Sequence, residues 1–404
     1  MNSVHGLRMR RRVGAASAAI GAVAAKAAPT LLVFAAALPV RAADPVVLET
    51  NEHRVRVVTV ADGLASPWSL ALLPNGDMLV TERPGRLRLI RDGALVAQAI
   101  AGVPEVRYRN HGGLMDVVPH PDFARNRLVY LTYSKPGENG ATTAVLRARL
   151  DGMRLVDAED IFIADAWDAR DVNFGSRAVF DRDGFLYVSI GERGPDGVPF
   201  AQDLGRHNGK IVRLRGDGSV PADNPFVRVA GAKPEIYSLG HRNPQGLMLH
   251  PETGEVWASE HGPLGGDEVN VILPGRNYGW PIVSFGREYS GETITEDPYR
   301  EGFEPPRFFW VPSIGISGLL IYMGDRFPAW RGELIVTGLN SMLLQRVRLE
   351  GRGSAERESM LNALREQVRD IRESPDGSLY LVTRQNGRRE ESSGKVLHLL
   401  PADE

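Results

Sequence analysis

Along most of the chain, apolar and polar residues alternate in short runs, and each run follows the same kind of turn. The turn-then-strand unit recurs six times: LPNGDMLVTE (Leu73 to Glu82), HPDFARNRLVYLTYS (His120 to Ser134), DRDGFLYVSIGE (Asp181 to Glu192), HPETGEVWASE (His250 to Glu260), FPAWRGELIVTG (Phe327 to Gly338) and SPDGSLYLVT (Ser374 to Thr383). Each opens on Pro, Asp, Asn or Gly turn chemistry and runs into an alternating or β-branched-rich segment. Intervals of roughly 45 to 75 residues leave room for three more strands per unit, GRLRLIRDG and GKIVRLRGDGS among them. The pattern predicts an all-β fold, a six-bladed β-propeller of four-stranded antiparallel blades. The first strand, His53 to Val60, and the last, Lys395 to Leu400, are expected to share a blade, because such closure removes exposed sheet edges. A pair of β-sandwiches is the alternative and fits the repeat count poorly. Helical character is confined to one run, Glu356 to Arg369.

The N-terminus breaks this pattern. Arg8, Arg10, Arg11 and Arg12 precede an Ala-rich apolar run that resumes after Lys26 and ends in Val40-Arg41-Ala42. A basic region, an apolar stretch and small residues before a cleavage point mark a secretory signal peptide over residues 1–42, cut after Ala42 or Ala43. The remainder, 43–404, is expected to be one propeller domain, exported to the periplasm or beyond, with no membrane span in the mature chain. With 404 residues of which 43% are hydrophobic, the chain can bury a large core. A net charge of −2 gives no reason to expect nucleic acid as a partner. The absence of cysteine excludes disulfides, thiolate metal sites and a cysteine nucleophile.

Candidate chemistry gathers between Leu239 and Pro281. LGHRNPQG, SEHGPLGGDEVN and GRNYGWP bring together Arg242, Asn243, Glu260, Asp267, Glu268 and Tyr278 on loops rich in Gly and Pro. Loops on a rigid scaffold are where binding groups collect. Carboxylates and loop carbonyls are hard donors that favour Ca²⁺. The plainer alternative is that Asp267 and Glu268 cap a turn or pair with surface arginines.

LASPWSLALLPNGDMLVTERPGRL, HGGLMDVVPHPDF, NFGSR, GHRNPQG, EHGPLGGDEVN, NYGWP and VRDIRESPDG, taken in order, resemble the soluble PQQ-dependent sugar dehydrogenases. This is the aldose sugar dehydrogenase and soluble glucose dehydrogenase family, and the resemblance runs from about Val57 to Pro401. It implies a propeller carrying pyrroloquinoline quinone (PQQ) and Ca²⁺ at its axial face, a sugar or related alcohol oxidised at C1 to a lactone, and electrons leaving to a separate acceptor. By the same resemblance, Arg242, Asn243, Tyr289 and Arg369 fall at cofactor-contacting positions. Glu268 and Tyr278 fall at Ca²⁺-binding positions, the tyrosine through its carbonyl.

Four positions depart from the family. Asn173 stands where a histidine usually serves as base, and an amide cannot accept a proton near neutrality. His111 replaces a glutamine and is a possible substitute base or a hydrogen-bonded structural group. Asn340 replaces a lysine and Gln367 an arginine, which weakens the expected hold on the three carboxylates of PQQ. Three functions are therefore compatible with the chain: a PQQ- and Ca²⁺-dependent sugar dehydrogenase with an altered base, a Ca²⁺-dependent hydrolase such as a lactonase, or a non-catalytic binding propeller that has lost PQQ.

Overall fold

The computed structural model describes residues 45–349, 357–385 and 392–403. The expected signal peptide lies outside the described residues. Six antiparallel sheets account for nearly all regular structure: five have four strands and one has five. Reading from the innermost strand outward, the first blade is Pro67–Leu72, Met78–Glu82, Arg86–Arg91 and Ala94–Leu95. Four more blades follow in sequence with the same up-and-down order, their inner strands being Leu114–Pro119, Ala178–Phe180, Pro244–Leu249 and Ile316–Ile321. The sixth takes Glu366–Glu373, Leu379–Gln385 and Gly394–Pro401 from the end of the chain, then Arg54–Leu64 and Val46–Glu49 from its beginning. Each inner strand touches the inner strands of the blades on either side, and the last touches the first, so the sheets close into a ring. The two ends of the chain meet in one blade, as the sequence predicts.

All six recurring segments become the second strand of a blade together with the turn leading into it. Their alternation understates their burial. Met78–Glu82, Val256–Glu260 and Leu334–Gly338 are buried at every position, because a neighbouring blade covers each face. The core is accordingly divided into six walls, one between each pair of blades. The wall between the first two blades holds Leu79, Leu89, Val129 and Leu146, and the wall that closes the ring holds Leu70, Val80, Val382 and Val396.

One element departs from expectation. The run Glu356 to Arg369, read as helical, instead gives a strand at Arg357–Met360, a single 3₁₀ turn at Asn362–Leu364 and the start of the inner strand Glu366–Glu373. Each piece pairs with one strand, Leu343–Val347 for the first and Leu379–Gln385 for the second, and that pairing outweighs helix-forming residues there.

The inner strands are tied across the axis by buried charge. Asp116 accepts from Ser69 Oγ at 2.6 Å and from the Ala178 backbone N–H at 2.9 Å, and Asp370 accepts from the Leu70 N–H at 3.1 Å. Arg177, 1% exposed, pairs with Asp116 at 3.3 Å and with Asp370 at 3.1 Å.

Candidate functional site

A cavity of about 320 Å³ opens at each end of the ring's axis. One is lined by later residues of the inner strands, Leu70, Val117, Val179, Leu247 and Leu319 among them, and is largely apolar. The other is lined by residues at the starts of inner strands, the ends of second strands and the loops beside them: Trp68, Arg83, His111, Asn243, His261, Tyr289, Asn340, Gln367, Arg369 and Arg384. Groups scattered over 300 positions meet there because both kinds of chain end point to the same face of the ring. His111, Asn243, Tyr289, Asn340, Gln367 and Arg369, singled out from sequence, all line this second cavity.

Arg242 and the two expected metal-binding residues stand next door. Arg242, Glu260, His261, Glu268 and Tyr278 line an ion-sized hollow of about 10 Å³, and His261 belongs to both spaces. Arg242 donates to the carbonyls of His261 and Gly262, both at 3.1 Å, and to the Tyr289 hydroxyl at 3.4 Å, so it reaches from the hollow to a residue that lines the larger cavity. Glu260 and Glu268 are cross-strand partners, which sets two carboxylates side by side. Glu260 is fully engaged: its Oε1 is hydrogen-bonded to His241 Nδ1 at 3.0 Å and accepts from Asn270 Nδ2 at 3.0 Å, and its Oε2 accepts from the Arg242 N–H at 2.7 Å. Burial first and the Glu260 carboxylate second raise the Glu268 carboxyl well above its usual range. That penalty is the kind a bound cation removes. The donor set, carboxylate plus loop carbonyl on a rigid strand pair, suits calcium. Tyr278 is positioned by its ring, stacked on His241 with centroids 4.6 Å apart, and by its hydroxyl, which donates to Val271 O at 2.5 Å.

Asn173 has a left-handed backbone, φ 46°, at the end of the loop before the third inner strand. Its Nδ2 donates to Glu192 Oε1 at 2.8 Å, and its Oδ1 accepts from Asn243 Nδ2 at 3.2 Å. Gly191 permits this: a Cβ there would lie 2.1 Å from Asn173 O. Burial raises the Glu192 carboxyl above its usual range against the pull of Arg242. His111 sits on the other side, its Nδ1 accepting from the Asn173 N–H at 3.2 Å. The two substituted positions therefore touch.

The second cavity is electropositive. Arg83, Arg369 and Arg384 line it, and among the described residues none that lines it is a carboxylate. Arg177 and Arg369 both lie over the Trp68 ring, at 4.1 and 4.3 Å from its centre. Burial, followed by repulsion from Arg177, Arg384 and Arg83, holds the Arg369 guanidinium well below the usual arginine range. His261 is pushed down to about 4, by burial first and then, against the pull of Asp267, by Arg369 and Arg242. Arg242 Nε, His261 Nε2 and Arg369 Nε are buried without a hydrogen-bond partner among the described residues. Unsatisfied nitrogens, crowded guanidiniums and an aromatic floor fit a flat polyanion such as PQQ. Sequence reasoning missed Trp68, Arg83 and Arg384. Trp68 and Arg83 lie inside a motif that was noticed, and Arg384 carried no signal.

Fold and site together define a six-bladed propeller with an arginine-lined axial cavity beside a cation-sized hollow. The glucose/sorbosone dehydrogenase family model matches residues 64–396, and the chain belongs to that family. Aldose sugar dehydrogenase YliI of Escherichia coli (strain K12) is 40% identical over 353 residues, 86% of this chain and 93% of the relative. A solved glucose dehydrogenase is 44% identical, with TM-score 0.79 over 85% of this chain and 98% of the other. The PQQ-bound form of an aldose sugar dehydrogenase from Streptomyces coelicolor is 29% identical, with TM-score 0.71 over 86% and 97%. Among the described residues no helix is long and apolar enough to cross a membrane.

Proposed function

We propose that this protein is an exported oxidoreductase, dependent on PQQ and Ca²⁺, that oxidises an aldose sugar or related alcohol to its lactone. The observation that carries the reading is the electropositive axial cavity adjoining the Glu268 hollow, in a chain whose relatives include a PQQ-bound sugar dehydrogenase. The chemistry such a quinone supplies when bound is acceptance of a hydride from the sugar C1. Arg83 and Arg369 bind its carboxylates, and Trp68 gives it an apolar face. Glu268 and the Tyr278 carbonyl hold the calcium, while Arg242 keeps the loop that carries His261 and Gly262 in place. Asn173, fixed through both ends of its amide, orients the reacting hydroxyl with a lone pair of Oδ1. The proton goes to Nδ1 of His111. That nitrogen's present contact with the Asn173 N–H is long, and a hydroxyl that displaces it meets a lone pair, which the asparagine amide nitrogen does not offer.

Calorimetric titration of PQQ into the apo-protein with Ca²⁺ present, followed by dye reduction with a panel of aldoses, tests the reading. Saturable binding with sugar-dependent reduction is expected. No PQQ binding overturns it, and Ca²⁺-dependent lactone or ester turnover without PQQ would point to a hydrolase.

A further inference from the structure

Gln367 stands where the resembling family carries an arginine, yet the cavity has not lost that charge. Gln367 on the inner strand of the sixth blade and Arg384 on the second are direct cross-strand partners. Opposite residues of an antiparallel pair project from the same face with Cβ atoms about 5 Å apart, so a long side chain at 384 reaches the space served from 367. Both line the electropositive cavity, and Arg384 Nε donates to Gln367 Oε1 at 2.7 Å. The amide oxygen thereby orients the guanidinium that replaces the missing one. Arg384 also stands close enough to Arg369 to repel it, as Arg83 does, which places all three guanidiniums at one cavity.

We propose that Arg384 is a cofactor-binding residue that holds one carboxylate of PQQ, the cation having moved from the inner strand to its neighbour. Gln367 is then a positioning residue that acts through Arg384. The inference rests on the PQQ reading above and deepens it. With Arg83 and Arg369, Arg384 sets three guanidiniums against three carboxylates.

The test is PQQ titration into the Ca²⁺-supplemented apo-protein, read by calorimetry, together with the melting temperature of each apo-variant. Arg384→Gln is expected to weaken PQQ binding about 10- to 100-fold, the loss of one charge-assisted contact. A cooperative melt of its apo-protein shows that the variant folds, so that the loss is one of binding. Adding Gln367→Arg to Arg384→Gln should restore affinity to within a few-fold of wild type. Wild-type binding with an Arg384→Gln affinity within twofold of it overturns this inference and leaves the PQQ reading standing. Weakened binding that Gln367→Arg does not rescue overturns the shared position. Absence of binding by wild type overturns both.

Discussion

Two neighbouring side chains, the first lining the cavity, have exchanged types relative to the resembling family: an imidazole stands at 111 and an amide at 173, in contact through the Asn173 N–H. The consequence belongs to these residues alone. His111→Gln should lower kcat about 100-fold or more, the usual worth of a general base, while PQQ affinity changes little. Adding Asn173→His to that variant should restore much of the rate, since Glu192 Oε1 already lies within hydrogen-bond reach of residue 173 and histidine tolerates the left-handed backbone there. Steady-state kinetics with saturating PQQ decide it. A His111→Gln enzyme with wild-type kcat would remove His111 from the chemistry. That Asn173 cannot be a base was plain from its chemical type. That His111 is its neighbour was not, because 62 positions separate them and only the blade loops bring them together.

At the scale of elements, the turn-and-strand repeat carried most of the fold. Turns built from Pro, Asp, Asn or Gly and followed by alternating or β-branched strands located the second strand of every blade, and closure by the two chain ends followed from the need to hide sheet edges. Reading Glu356 to Arg369 as helical failed because residue preference is a weak prior beside pairing with a neighbouring strand. The central ties were illegible for another reason: Asp116, Arg177 and Asp370 look like ordinary surface charges in sequence, and only the inner-strand ring buries them. Asp116→Asn would leave Arg177 with a single carboxylate in a dry site. It should lower unfolding free energy by about 3–5 kcal/mol, measured by urea denaturation. A loss under 1 kcal/mol would mean that Asp370 alone suffices.

On the proposed calcium reading, the paired carboxylates tie the stability of the whole fold to calcium and pH. The folded-state pKa of Glu268 lies well above the ordinary value of 4.5. Its contribution to apo-protein stability is therefore fully present below about 4.5 and lost as pH rises through the raised value. Glu268→Gln should make the apo-protein more stable than wild type at pH 7 to 8 but not at pH 4. It should also abolish the stabilisation by Ca²⁺, about 2.7 kcal/mol at a hundredfold excess over Kd in the wild type and read as a rise in melting temperature. Scanning calorimetry at both pH values checks each arm, and an unchanged Ca²⁺ response in the variant would place the cation elsewhere. Sequence by itself determined the blade count, the closed ring and the chemical types available for catalysis, because period-two patterning and turn residues act locally. Tertiary structure decided which end of the axis is polar, which residues touch across it, and that Arg384 faces the cavity. Those outcomes depend on the direction in which each strand ends and on its cross-strand partner, and neither is written in the order of residues along any one strand.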